Sequence, residues 1–295
     1  MSRARRVLVT GASGQVGSEV VAELERRRAA ACRGGGLEIL AAGHQDLDVS
    51  RRDAVAAAIY GFEPDIIIHP AAFTAVDACE SEVDRAFAVN ALGTRHVAEA
   101  ARAIGAHLSY VSTDYVFDGR STRPYREWDP PNPLSVYGAS KLAGEQELEA
   151  SATIVRTAWV CGRNGANMAK TVLRLARSGS GPLRFVADQQ GSPTIAQDLA
   201  HTLVDLSLQR RPGIFHVTNE GSTTWFGFAR AVLAAAGEDP GRVEAITTAE
   251  LTPPRPAPRP ANSVLDHVAL RAAGIPLLPE WETSLRALVC ELARP

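Results

Sequence analysis

Apolar positions in the first half of the chain alternate between two periods. Short β-branched runs at Val7 to Thr10, Leu37 to Ala41, Asp65 to His69, His107 to Val111 and Thr153 to Arg156 read as strands. Stretches with helical spacing lie between them, near Gly17 to Arg28, Ser50 to Tyr60, Glu82 to Ile104 and Tyr137 to Ala150. Strand and helix in alternation predict parallel strands joined by crossover helices, hence an α/β doubly wound parallel sheet of the Rossmann type. The run Ile66-Ile67-Ile68 is apolar on both faces, as a sheet covered on both sides requires. Beyond residue 160 the rhythm loosens. Helices are expected at Asn167 to Arg177, Ala196 to Leu208 and Thr224 to Ala236, and a strand at Ile214 to Val217. The Pro-rich stretch Pro253 to Pro260 suits neither helix interior nor central strand and reads as an ordered loop. The expected division is a sheet-forming part over 1–162 and a smaller C-terminal region over 163–295, some elements of which return to the sheet.

Composition narrows the function classes. Hydrophobic residues make up 45% and charged residues 22% of the 295, which suits a globular chain and not a disordered or disulfide-stapled one. The 31 basic and 33 acidic residues nearly cancel, so charge gives no ground for a nucleic-acid or membrane partner. Cys32, Cys79, Cys161 and Cys290 are scattered, which excludes zinc-ribbon and CxxC redox motifs and points to reduced thiols. The basic, then apolar start at Met1 to Thr10 is too short for a signal peptide, and no run reaches the roughly 20 apolar residues of a membrane helix. A cytoplasmic protein is expected. Only two of the basic residues are lysines, Lys141 and Lys170, so each one matters to the reading.

Candidate chemistry starts at the first turn. GASGQVG, with Gly11, Gly14 and Gly17, follows the first strand and opens the first helix. Gly11 serves the tight turn, Gly14 the approach of a pyrophosphate, and Gly17 close helix packing, while the helix N-terminus offers free N–H groups. The second predicted strand ends without a carboxylate, and Asp46 and Asp48 come later. That allows a 2′-phosphate, so the cofactor reading is NADPH, with NADH accepted.

Tyr137 and Lys141 in YGASK share one helix face. An ammonium there would favour the phenolate, and a tyrosine so tuned protonates a carbonyl oxygen as hydride arrives at carbon. Thr113 ends the fourth strand, where ligands sit in open α/β sheets, and could bind the same oxygen; taken alone it reads as a strand-end hydroxyl capping a turn. Asp114 beside it stays open between a turn residue and a surface charge. His69 reads as structural, and no metal-ligand spacing is found.

Taken together, these motifs resemble the extended short-chain dehydrogenase/reductases, and within them the dTDP-4-dehydrorhamnose reductases. The markers are GASGQVG, LDVS at 47–50, AAFTAVDACE at 71–80, STDYVFDG at 112–119, YGASKLAGE at 137–145, RTAWV at 156–160, DQQGSPT at 188–194, GIFHVTNEG at 213–221 and RPANSVLD at 259–266. The resemblance implies NADPH-dependent reduction of the 4-keto group of dTDP-4-dehydro-L-rhamnose. It implies Thr113, Tyr137 and Lys141 as the catalytic triad, with Lys141 also on the nicotinamide ribose. Gln15, Val16, Asp48, Val49, Ala71, Ala72 and Phe73 match the family's cofactor contacts, and Thr113, Asp114 and Trp159 its sugar contacts. Without the family, Trp159 would be read as a core aromatic. From phosphate chemistry we add Arg259, in preference to Arg255, as a ligand of the substrate pyrophosphate.

Three departures touch the rim of the cofactor site. His69-Pro70 stands where the family has Asn, a basic residue near Cys79 is missing, and Cys32 to Gly36 is insertion-like. Some members form a magnesium-linked dimer through the glutamate that aligns with Glu19. Here Glu19 reads as an exposed helix residue, magnesium is left undecided, and a monomer or homodimer is expected. Two alternatives stay open: an epimerase or dehydratase of the same superfamily, and a non-catalytic dinucleotide-binding subunit. Tyr115 after Asp114, where a dehydratase needs a second carboxylate, argues against a dehydratase, and the intact trio argues against the second alternative.

Overall fold

The computed structural model of the chain describes residues 3–30, 36–179 and 181–293. Most of the predicted insertion before the second strand therefore lies outside the described residues. Six parallel strands form the main sheet: β1 (Arg5–Thr10), β2 (Leu37–Ala42), β3 (Ile66–His69), β4 (His107–Thr113), β5 (Thr153–Thr157) and β6 (Gly213–His216). Their order is β6-β5-β4-β3-β1-β2, so the winding reverses between β1 and β3. In open α/β sheets the ligand crevice opens at that reversal, beyond the carboxyl ends of the strands.

Side-chain alternation assigns the two faces. Val7, Val9, Ile66 and Ile68 pack on one side with Val20 and Leu24 of α1 (Gln15–Ala30). Leu8 and Ile67 pack on the other with Val55 and Ile59 of α2 (Arg52–Phe62) and Val97 of α3 (Gly93–Ile104). The apolar run at 66–68 is thus read correctly as a strand buried on both faces. The long helix expected from Glu82 to Ile104 is continuous from Val83 but carries a π turn at Ala88–Leu92, which places the side chain of Asn90 inside the protein. Helix α4 (Val136–Gln146) is capped by Ser135, whose side chain accepts the Gly138 N–H, and ends earlier than the sequence pattern suggests.

The remaining chain builds a second core. Helices α5 (Met168–Arg177), α7 (Trp225–Ala235) and α8 (Trp281–Leu292) bring together Leu173, Phe228, Leu233, Trp281, Leu285 and Val289. Between α5 and α7, α6 (Ala196–Leu208) returns to the main sheet, where Leu199 and Leu203 join the core under α1. Helix α8 went unread although Leu285, Leu288, Val289 and Leu292 stand at helical spacing, while several two- to four-residue strands had no signal. Their pairing partners lie far away in sequence, and strands this short carry no periodicity. The Pro-rich segment forms neither helix nor strand.

Candidate active site

A cleft of about 670 Å³ opens at the winding reversal, along the carboxyl ends of β1, β3 and β4. Gly11, Gly14, Gln15, Val16, Gly17, Asp48, Val49, Ala71, Ala72, Thr113, Asp114, Tyr137, Lys141 and Trp159 all line it. Phe73 does not. Its backbone N–H instead donates to Asn90 Oδ1 at 2.8 Å, and its ring lies under the Arg85 guanidinium.

The glycine turn is dictated by backbone contact. Gly11 has φ +55°, and a Cβ there would stand 2.7 Å from Ala71 Cα. A Cβ on Gly17 would stand 2.1 Å from the Gly11 carbonyl oxygen, so only glycine lets α1 start so near the turn. At the end of β2 the nearby carboxylates are already engaged. Asp46 accepts the Gly43 N–H at 2.8 Å, and Asp48 Oδ1 accepts the Ser50 hydroxyl at 2.7 Å. His44 lines the cleft at the same end.

Thr113, Tyr137 and Lys141 meet in the cleft wall. The Thr113 hydroxyl stands beside the Tyr137 phenol and favours its ionised form. Lys141 is 2% exposed, and its Nζ has no hydrogen-bond partner. It rests over the Tyr110 ring, 4.0 Å from the centroid. Burial pushes the Lys141 ammonium down to about 7, against the opposing charge of Glu145. Burial also drives the Tyr137 phenol upward, helped by the nearby Asp114. The expectation that Lys141 lowers the tyrosine is therefore not met in the protein alone, because desolvation of the phenolate outweighs it.

Asp114 is 1% exposed, which excludes the surface-charge reading. Its Oδ1 accepts the Thr113 hydroxyl at 3.0 Å, Oδ2 is buried without a partner, and Ser263 stands close enough to favour the ionised carboxyl. Burial lifts this carboxyl to about 6. His69 is buried between the Thr10 and Thr94 hydroxyls, and burial holds it down to about 3, so it stays neutral and structural as read.

Arg259 does not line the cleft. It grips Asp77 with both Nη atoms, at 2.8 and 2.9 Å, and lies beside the Tyr115 hydroxyl. Glu19 corrects the sequence reading. It is 2% exposed, because Arg163 from beyond β5 folds back and binds both of its carboxylate oxygens. Lys170 is half-buried and donates to the Arg163 and Gly165 carbonyls rather than standing free on its helix. Among the described residues no group of three or more His, Cys, Asp or Glu is arranged to hold a metal. Nor is any helix there long and apolar enough to cross a membrane.

Sequence reasoning missed Thr157, Tyr115 and Trp225 in the cleft wall. Thr157 Oγ1 is buried without a partner, two residues before Trp159. The RTAWV motif held a signal for Thr157. Trp225 had none, because it enters the cleft from the second core.

The chain matches the family described as RmlD substrate binding domain over residues 5–294. It is 42% identical to a dTDP-4-dehydrorhamnose reductase of Streptomyces griseus, over 95% of this chain and 91% of that one. It is 39% identical to the spore coat polysaccharide biosynthesis protein SpsK of Bacillus subtilis, over 97% of each. A dTDP-4-dehydrorhamnose reductase of Bacillus anthracis, solved in complex with NADP, superposes with a TM-score of 0.89 at 37% identity, covering 98% of this chain and 99% of that one.

Proposed function

The chain belongs to the RmlD substrate binding domain family, and from this we infer that it is an NADPH-dependent dTDP-4-dehydrorhamnose reductase. The observation that carries the reading is the buried Nζ of Lys141, without a hydrogen-bond partner, one helical turn from Tyr137 in a glycine-floored cleft. A buried cation left unsatisfied calls for an external partner, and the ribose hydroxyls of a dinucleotide supply one.

NADPH, when bound, supplies the hydride to the 4-keto carbon. The N-terminus of α1 with Gly11, Gly14, Gln15, Val16 and Gly17 would hold its pyrophosphate, and Asp48, Val49, Ala71 and Ala72 would flank its remainder. Tyr137 donates the proton to the sugar oxygen. Its upward-driven phenol is in the protonated form that reduction requires. Thr113 hydrogen-bonds the same oxygen, and Asp114 and Trp159 position the sugar. Arg259 would release Asp77 to take up the substrate pyrophosphate. The division at residue 162 into cofactor and substrate parts belongs to the same proposal, as does acceptance of NADH. The same reading takes the protein to work in the cytoplasm as a monomer or homodimer, with no nucleic-acid or membrane partner and with magnesium unassigned.

The test is oxidation of external NADPH with dTDP-4-dehydro-L-rhamnose. Wild type is expected to consume NADPH stoichiometrically. Tyr137→Phe should lose on the order of 10²–10⁴ in kcat with its thermal unfolding unchanged. An inactive wild type, or a fully active Tyr137→Phe, would sink the reading.

A further inference from the structure

Trp159 and Trp225 stack face to face, with ring centroids 3.5 Å apart and planes 6° from parallel. Both indoles line the cleft beside Thr113 and Tyr137. Two local features resist this arrangement. Trp159 has φ +47°, a left-handed backbone that a bulky side chain rarely adopts. Aromatic pairs also prefer offset or edge-on contacts to a parallel sandwich. Strain of this kind persists only where the surroundings enforce it, and it gathers at functional sites.

The surroundings do enforce it. A Cβ on Gly191 would stand 2.5 Å from Trp159 Cε2, so the glycine of DQQGSPT makes room for the indole. The short strand Gln190–Gly191 pairs antiparallel with Thr223–Thr224, and Thr224 caps the helix that begins with Trp225. One hairpin-like contact therefore sets both indoles. Trp225 is further anchored edge-on against Phe228 of the second core, 5.9 Å between centroids.

We propose that Trp225 is a substrate-positioning residue that, with Trp159, makes a rigid two-indole wall for the apolar face of the hexose. This rests on the function proposed above. Trp159 alone, on a single strained residue, would be free to tilt. Backed by Trp225, it presents one fixed plane, and the hexose meets the nicotinamide side of the cleft in one orientation.

The experiment compares Trp225→Ala and Trp225→Phe with wild type in the NADPH assay. Trp225→Ala is expected to raise KM for the dTDP-sugar by about 10-fold, the scale of one lost aromatic packing contact. KM for NADPH should stay within about twofold, since the wall lies outside the dinucleotide turn. Trp225→Phe should recover most of the loss. Gly191→Ala, which displaces Trp159 from the opposite partner, should show the same split and combine non-additively with Trp225→Ala. If Trp225→Ala does not fold, Gly191→Ala and Trp225→Phe decide the matter alone. An unchanged KM for the sugar, or equal rises for sugar and NADPH, overturns the proposal. Should wild type not turn over, the proposed function fails, and calorimetric titration with dTDP-L-rhamnose decides the wall. Weaker binding by the variant supports it, while equal binding, or none by wild type, overturns it.

Discussion

Lys141 and Glu145 sit one turn apart on α4, both buried, yet they are opposite cases. Glu145 accepts the Ser112 hydroxyl at 2.5 Å and both arms of Arg156, at 2.9 and 2.6 Å. Lys141 Nζ has only the face of Tyr110. Burial by itself does not distinguish structure from function, but satisfaction does. The Glu145–Arg156 pair ties α4 to β4 and β5 and fixes the helix register. That register aims Tyr137 and Lys141 into the cleft. The fully paired charge holds the unpaired one in place.

The comparison breaks most readily at Arg156. Arg156→Ala leaves Glu145 buried without its partner, and we expect a loss of about 3–5 kcal/mol in chemical denaturation. A loss under about 1 kcal/mol would mean that the pair is not structural. The double change of Glu145 and Arg156 to methionine should be far milder, because no unpaired charge remains.

Lys141 predicts a pH signature of the opposite kind. Its folded value, pushed down to about 7, lies below the ordinary lysine value near 10.5. Between these values the unfolded chain binds more protons than the folded one, so stability of the ligand-free protein rises with pH across that window. Lys141→Met should remove this rise and stabilise the protein near pH 7, while abolishing reductase activity. Unfolding curves at pH 7 and pH 9.5 check it, and an unchanged slope in the variant would refute the assignment.

The smallest effect is expected at Arg259. Its bidentate pair with Asp77 is still partly exposed, at 18% and 30%, so Arg259→Ala should change stability by about 1 kcal/mol. If the guanidinium reaches the substrate pyrophosphate, KM for the dTDP-sugar rises several-fold. An unchanged KM removes Arg259 from the substrate site and leaves it as a clasp between Asp77 and Tyr115.

Legibility in the sequence followed the locality of the interaction. The glycine turn, the strand-end Thr113 and the Tyr137–Lys141 spacing are all set within a few residues, and each lines the cleft. Long-range partners were misjudged. Glu19 was read as exposed because nothing near it announces Arg163, 144 residues further along. Asp114 was left open because its neighbours show no sign of its burial, and Ser263, which stands beside it, comes from far along the chain. Phe73 was credited to the cleft, whereas the π turn that brings in Asn90 draws it away.

The sequence by itself determined the alternation of strand and helix, and with it the parallel sheet and the position of the glycine turn. Backbone periodicity and steric limits on glycine act over a few residues, so they are written locally. Tertiary structure alone decided which charges are paired, which way Tyr137 and Lys141 titrate, and that Trp225 meets Trp159. Desolvation and long-range packing set these, and both depend on what the whole chain folds around a group.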